Sequence, residues 1–282
     1  MTTRTGTENP ASGPPTTDVM TIAEHITVVA TEGQRFAAAA RRGEMDADVP
    51  ACPGWSLRDL VRHLGEIHLW AAANVAQRPG ATLELEDRSE LVRSWPDLAI
   101  FWPADDDLID WYLDTNANLV HVLQAAPPDV AALTFLPAPT PLAMWARRQA
   151  HETSIHRYDA EDTTGHATGY DATLAADGID ELLYGFYESV TRPRERGVLV
   201  DQDRLMHVHA VDTGDHWYVT IGPLSISASR DGGAADLTVT GSASDLYAAL
   251  WNRGDDSAIT TVGGPQLLKT WHQHTGVRWD LD

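Results

Sequence analysis

Apolar residues recur at helical spacing through the first half of the chain. This pattern predicts four amphipathic helices, at residues 21–43, 56–77, 106–128 and 140–162. Ser56 followed three positions later by Asp59 has the pattern of a capping box, and Thr140 before Pro141 has that of an N-cap followed by proline. Four such helices in succession predict a four-helix bundle.

The pattern changes after the fourth helix. A fifth helix is predicted at residues 176–191, and apolar and polar residues then alternate in short β-branched runs separated by Gly and Asp. These runs predict strands at residues 205–211, 216–222, 224–229, 236–241 and 257–264. Two more helices are predicted, at residues 242–254 and 263–276. We therefore expect an α+β fold in which the bundle is followed by a smaller α+β domain.

These patterns also suggest domain boundaries. Residues 1–18 are rich in Thr, Pro and Gly and lack the apolar core of a secretory signal, so we expect a disordered tail there. The helical bundle should span residues 19–165, and the α+β domain residues 175–282.

Composition narrows the classes of partner. The formal net charge of -21 argues against nucleic acid or an anionic membrane surface, because both attract clustered Lys and Arg; we attribute the acidity to solubility. The sequence contains no run of 18 apolar residues, so no transmembrane helix is expected. The single cysteine, Cys52, excludes an internal disulfide framework and fits a reducing cytoplasm.

Candidate chemistry lies in the fourth predicted helix, within RRQAHETSIHRYDAED. Glu152 and His156 are four residues apart and therefore share one helix face. Asp159, one turn further on, could accept the free ring N–H of His156. His151 lies five residues before His156, on a different azimuth. The histidine spacing excludes the HExxH pattern of zinc proteases, in which the second histidine comes four positions after the first rather than five.

A catalytic metal site needs a third ligand from elsewhere in the chain. His63 is the best candidate, because it lies at the edge of the apolar stripe of the second helix and would face the bundle interior. His68 is a weaker candidate.

The residues alone leave other interpretations open. His63 could be a hydrogen-bonded core histidine, and Glu152 with His156 a solvated surface pair. Cys52 fits a small buried hydrophobic residue, and Arg147 with Arg148 a surface pair.

Two longer motifs favour the metal site. The stretch VPACPGWSLRDLVRHLGEIHLWAAA, followed by WARRQAHETSIHRYDAED, resembles the mycothiol-dependent maleylpyruvate isomerase family of DinB-like metalloenzymes. The first matches a PGW-x-x-x-D-L-x-x-H-L signature, and the second an R-x-x-H-E-x-x-x-H-R-x-D signature. The resemblance implies that His63, Glu152 and His156 hold a divalent metal ion, expected to be Zn²⁺.

The second half resembles the sterol-carrier-like α+β domain that accompanies this family. Its W-x-x-R element, which in the family is associated with substrate binding, is matched at Arg253. An exposed arginine that satisfies the carbonyls at a helix end is an alternative interpretation of this residue.

The resemblance implies a thiol chemistry. Mycothiol would supply a sulfur nucleophile that adds to an electrophilic small molecule, in a cis–trans isomerase or an S-transferase. We expect a cytoplasmic monomer or homodimer with small-molecule partners only. A non-catalytic metal-binding protein, or a small-molecule-binding protein of the same fold, remains the alternative.

Overall fold

The computed structural model describes residues 20–76, 102–190 and 199–275. The helices are α1 (Ile22–Ala40), α2 (Leu57–Val75), α3 (Asp105–Ala125), α4 (Pro141–Asp162), α5 (Ala172–Asp180), α6 (Ala243–Leu250) and α7 (Gln266–His274). A π-helical segment (Glu181–Val190) continues α5, and a 3₁₀ turn (Asp256–Ala258) follows α6. The strands are β1 (Arg204–Ala210), β2 (His216–Ile221), β3 (Ile226–Ser229), β4 (Leu237–Gly241) and β5 (Thr260–Gly263).

The predicted helix starts in the bundle are confirmed. Ser56 and Asp59 form a reciprocal capping box at the start of α2, and the Thr140 side chain accepts a hydrogen bond from the backbone of α4. Each cap satisfies backbone N–H groups that have no partner within the helix. The predicted tail at residues 1–18 and the end of the second predicted helix beyond Ala76 lie outside the described residues.

The four bundle helices pack closely enough that small residues are needed at their crossings. A Cβ atom added to Gly33 of α1 would lie 2.4 Å from the Asn116 side chain of α3. Asn116 is buried there and donates a hydrogen bond to the backbone oxygen of Val29. Leu108 and Leu119 of α3 are also buried, whereas Ile109 is only partly buried.

The second half contains one mixed five-stranded sheet in the order β3-β2-β1-β4-β5. β1 and β4 are parallel, and every other neighbouring pair is antiparallel. One face of the central strands is buried, as the alternating burial of β1 and β2 shows. The α+β fold class, with a helical bundle first and the sheet after it, is confirmed.

The two halves share a hydrophobic core. One continuous cluster of buried side chains extends from Val29 of α1 through Trp145 of α4 to Trp217 of β2 and Trp271 of α7. The indole N–H of Trp217 also donates a hydrogen bond of 2.6 Å to Asp180, at the end of α5. Among the described residues, every helix is too short or too polar to cross a bilayer.

Candidate metal centre

Three buried side chains from α2 and α4 converge on one point. His63 projects from α2, and Glu152 and His156 project from one face of α4. The Nε2 atoms of His63 and His156 each lie 3.2 Å from the same carboxylate oxygen, Oε1 of Glu152. Each of the three residues is no more than 6% exposed. The sequence prediction that these three residues meet is therefore consistent with the geometry.

The donor set fits a divalent cation. The two imidazole nitrogens and the carboxylate oxygen lie within 4.8 Å of one another. Two histidines and one glutamate are a ligand combination of catalytic zinc sites, in which a further coordination position stays open. Burial of the three groups in the bundle also matches the usual location of metal sites in helical bundles.

Arg148 keeps the carboxylate of Glu152 charged. Its guanidinium donates a 2.7 Å hydrogen bond to Oε2 of Glu152 and also pairs with Glu181. Burial alone would raise the pKa of Glu152, but Arg148 and the hydrogen bonds from the two histidines lower that pKa well below its usual value. Oε1 is thus a negatively charged oxygen that could bind a metal, while Oε2 accepts the hydrogen bond from Arg148. The expected surface position of Arg148 is wrong, since the residue is 3% exposed.

Asp159 orients the second histidine. Nδ1 of His156 lies 2.8 Å from Oδ2 of Asp159, as the spacing along α4 predicted. This contact directs Nε2 of His156 toward Glu152, and it would hold the proton on Nδ1 when Nε2 binds a metal. Burial would lower the pKa of His156, but the hydrogen bonds to Asp159 and Glu152 outweigh it and raise this pKa to about 9.

Arg253 links the second half of the chain to this centre. It lies just after α6, and its Nε and Nη2 atoms donate to the two oxygens of Asp159 at 3.0 and 2.8 Å. The same guanidinium also donates to the backbone oxygen of Trp251, a helix-end contact like the one considered from the sequence. The side chain is only 12% exposed, so the interpretation as an exposed arginine is wrong. Burial would raise the pKa of Asp159, but Arg253 and His156 lower it, so Asp159 is ionised.

Cys52 also lies at the centre, which the sequence interpretation as a small hydrophobic residue missed. Its Sγ atom is 3.7 Å from Oδ2 of Asp159 and 3.9 Å from Arg253. Burial, followed by the negative charge of Asp159, raises the pKa of the Cys52 thiol to about 12, so the group stays protonated at neutral pH. The available signal in the sequence was its position directly before the Pro53-Gly54-Trp55 motif. In the structure, Trp55 of that motif contacts the ring of His63.

His68 and His151 do not join the centre. Nε2 of His68 bonds to the Thr153 hydroxyl at 3.0 Å. His151 lies 2.8 Å from Asp177 through Nε2 and 3.2 Å from the Tyr247 hydroxyl through Nδ1. The sequence expectation that His151 points away from His156 is therefore confirmed.

A second histidine–carboxylate group surrounds Asp177. Nε2 of His25 and Nε2 of His151 both approach its Oδ2 atom, at 3.1 and 2.8 Å. Arg147 donates to the same oxygen at 2.9 Å, so a cation already neutralises this carboxylate. The group ties α1, α4 and α5 together. The expected surface position of Arg147 is only partly correct, because its side chain is 24% exposed.

Comparison with protein-family models covers both halves of the chain. The mycothiol maleylpyruvate isomerase N-terminal domain matches residues 27–161, and the MDMPI C-terminal domain matches residues 173–270. The chain belongs to the mycothiol-dependent maleylpyruvate isomerase family. The resemblance predicted from the two sequence motifs is thereby confirmed.

Solved structures of this family share the fold. The structure of a mycothiol-dependent maleylpyruvate isomerase matches with a TM-score of 0.58 and 12% sequence identity, over 86% of this chain and 93% of that one. A histidine-to-alanine mutant of the mycothiol-dependent maleylpyruvate isomerase matches with the same TM-score and coverage at 11% identity. No curated protein matches the chain in sequence. Family membership supports an isomerase-like function that depends on mycothiol.

Proposed function

We propose that this protein is a metal-dependent enzyme that uses mycothiol, a low-molecular-weight thiol, to attack an electrophilic small molecule. The observation that carries the proposal is the approach of His63 and His156 to a single oxygen of Glu152, at 3.2 Å each. Such a site holds a cation through three protein ligands and leaves a position for an incoming donor atom.

The three residues assigned as metal ligands are His63, Glu152 and His156. Two imidazoles and one carboxylate suit Zn²⁺, which we propose as the metal. A divalent cation in this position lowers the pKa of a thiol that binds to it, so that the nucleophilic thiolate predominates at neutral pH. Cys52 stays protonated beside Asp159, which leaves the role of nucleophile to a thiol from outside the chain.

The surrounding residues hold the ligands in place. Arg148 fixes Glu152, Asp159 fixes His156, and Arg253 fixes Asp159 through two hydrogen bonds. Arg253 also lines a cavity of about 200 Å³ together with Tyr158 and Tyr170. We assign to Arg253 the additional role of binding the substrate, since its side chain lines this cavity as well as bonding to Asp159.

The reaction has two possible outcomes from one first step. The thiolate sulfur forms a C–S bond with an electron-poor carbon, and the electrons of the attacked double bond move toward the conjugated acceptor group. In an isomerase, the adduct rotates about the former cis double bond, and the C–S bond then breaks to release the thiol and the trans product. In an S-transferase, the adduct takes up a proton and is released.

The two proposed domains would contribute different residues to the site. We propose a metal-binding bundle at residues 19–165 and an α+β domain at residues 175–282 that contributes Arg253. We also propose a cytoplasmic location, because the only cysteine is unpaired and a thiol reagent requires a reducing compartment. The expected partners are the thiol and a small electrophile, and the chain is expected to act as a monomer or homodimer.

The experiment is a thiol-consumption screen. Zn²⁺-loaded protein is incubated with mycothiol and, in turn, a cis-dienoic acid, an epoxide and a quinone, and both thiol and products are quantified. An isomerase converts the cis acid with thiol unchanged, whereas an S-transferase consumes one thiol for each product. Glu152→Gln, which keeps the shape but removes the charge of the carboxylate, serves as the matched control.

Two results would contradict the proposal. Equal rates for Glu152→Gln and the wild type would remove the metal centre from the reaction. Stoichiometric metal binding without turnover of any of the three substrate classes would favour the alternative of a non-catalytic metal-binding protein.

A further inference from the structure

Three histidines and a tyrosine cluster on the partly exposed face of the sheet, outside the metal centre. His207 and His209 are two residues apart in β1, so their side chains leave the strand on the same side. In the antiparallel partner β2, His216 lies opposite His209, and Tyr218 lies opposite His207. The four side chains are partly exposed, whereas the residues that alternate with them are buried in the core.

The imidazole rings are in direct contact. Nε2 of His207 lies 2.9 Å from Nδ1 of His216, and the two ring planes are inclined by only 13°. Their centroids are 5.1 Å apart, which, with the short N···N distance, means that the rings meet edge to edge. The ring of His209 stacks on that of His216, with centroids 4.2 Å apart. Three imidazoles thus lie side by side on two adjacent strands.

Tyr218 supports this arrangement from one side. Its ring is parallel to that of His207, with centroids 4.5 Å apart. The backbone at Gly232 covers Tyr218 so closely that a Cβ atom added there would lie 2.1 Å from the tyrosine ring. His207 is therefore held between a fixed aromatic ring and His216.

The electrostatic surroundings favour neutral imidazoles. Burial and the neighbouring histidines lower the pKa of both His207 and His216. Arg230, whose charge also acts on His216, is paired with Asp215 and Asp180. Neutral imidazoles carry free nitrogen lone pairs, which are good ligands for Zn²⁺, Cu²⁺ and Ni²⁺ and poor ones for Mg²⁺ and Ca²⁺.

We propose that His207, His209 and His216 form a second, surface site for a divalent transition-metal ion. Zinc-to-imidazole bonds of about 2.0–2.1 Å place two nitrogens of one ion about 3.0–3.4 Å apart, so the spacing of Nε2 of His207 and Nδ1 of His216 is already close to that of two ligands. The ion would replace the hydrogen bond between these two nitrogens, and both rings would turn so that their lone pairs point at the ion. His209 supplies the third nitrogen by turning about its side-chain bonds, because its ring is partly exposed. Water completes the coordination shell, and no ligand is shared with the buried centre.

The test measures bound Zn²⁺ by equilibrium dialysis and elemental analysis of the full-length chain. The wild type is expected to bind two equivalents of Zn²⁺, one at the surface site and one at the buried centre. The double variant His209→Gln/His216→Gln should retain only the equivalent at the buried centre. His63→Ala should lose the equivalent at the buried centre and keep the one at the surface site. Failure of this proposal is therefore distinguishable from failure of the proposed function. His121→Gln is the matched control, because His121 is an exposed histidine on α3 away from the cluster.

A second readout uses immobilised Cu²⁺. Untagged wild-type protein should elute at a higher imidazole concentration than the double variant, and His121→Gln should elute with the wild type. Unchanged circular dichroism melting of the variants excludes unfolding as the cause. The proposal is overturned if the double variant binds as much Zn²⁺ as the wild type. It is also overturned if the wild type binds one equivalent of Zn²⁺ and His63→Ala binds none.

Discussion

At the residue scale, Glu152 shows how a buried charge is kept in this protein. One carboxylate oxygen faces two histidines, and the other accepts a hydrogen bond from Arg148. A buried carboxylate without such partners would take up a proton and lose its value as a ligand. The proposed ligand Glu152 therefore depends on Arg148, a neighbour that need not touch a metal.

Substitution of a ligand should lower metal content. We expect His63→Ala, Glu152→Ala and His156→Ala each to reduce the tightly bound metal, because two remaining donors hold a divalent ion poorly. Elemental analysis after a wash with a weak chelator measures the retained metal. His151→Ala is the control from the same helix, since His151 makes its hydrogen bonds outside the centre. Equal metal loss in this control would overturn the ligand assignment.

His68 should give the fold a dependence on acid pH. Burial lowers its pKa from 6.5 to about 3, so the folded chain keeps His68 neutral where the unfolded chain protonates it. The free energy of unfolding should therefore fall as the pH drops from 6.5 toward 3, by up to about 1.4 kcal/mol per pH unit from this residue. His68→Gln removes that contribution and preserves a hydrogen-bonding group near Thr153.

Urea denaturation of the wild type and His68→Gln, at neutral pH and below pH 6.5, checks this expectation. As the pH falls, the free energy of unfolding of His68→Gln should rise relative to that of the wild type. A constant difference in unfolding free energy across that range would show that folding does not lower the pKa of His68.

Single residues were predictable where the chain itself brings them together. Glu152, His156 and Asp159 follow from the spacing of one helix, and His63 from its place beside an apolar stripe. Cys52 was not placed at the centre, and the bond from Arg253 to Asp159 was not predicted, because these contacts join segments far apart in the sequence. The expected surface position of Arg148 overlooked one local signal, because Arg148 lies four residues before Glu152 on the same helix and bonds to it.

At the element scale, the helix caps were predictable and the helix faces less so. Ser56 and Thr140 act locally, within three residues of the N–H groups that they satisfy. The buried face of α3 depends instead on its contact with α1, where Asn116 bonds to Val29. The fifth helix begins at Ala172 rather than 176, because Asp171 caps it earlier than the apolar pattern indicates.

Loss of the α2 cap should destabilise the bundle without removing the centre. Ser56→Ala deletes the side chain that accepts from the Asp59 backbone, which costs about 1 kcal/mol of unfolding free energy in comparable caps. Chemical denaturation measures the change, and metal content should stay at the wild-type level because His63 lies two turns further along α2. Ser257→Ala, outside the bundle, is a suitable control. A Ser56→Ala variant as stable as the wild type would contradict the assigned role of the cap.

At the scale of the whole molecule, the centre depends on contact between the two halves. Arg253 follows α6 in the second half, and its partner Asp159 lies in α4 of the first. The fold class was predictable from the change in periodicity. The shared hydrophobic core was not, because tertiary packing between distant elements leaves no periodic signal in the sequence.

A double-mutant cycle should reveal this coupling. Arg253→Ala removes the guanidinium that bonds to both oxygens of the buried Asp159 carboxylate and should lower the unfolding free energy by about 3 kcal/mol. In the double variant Asp159→Asn/Arg253→Ala, the loss should be smaller than the sum of the two single losses. Denaturant unfolding of the four proteins gives the coupling energy. Strictly additive losses would mean that the two side chains do not interact.

The most direct test of the metal centre is a zinc K-edge X-ray absorption spectrum of the chain loaded with one equivalent of Zn²⁺, recorded without and with mycothiol. The account predicts nitrogen and oxygen neighbours alone in the first spectrum, and in the second an added sulfur neighbour at about 2.3 Å. It also predicts that His63→Ala loses the sulfur signal. A zinc spectrum that mycothiol leaves unchanged would contradict the account.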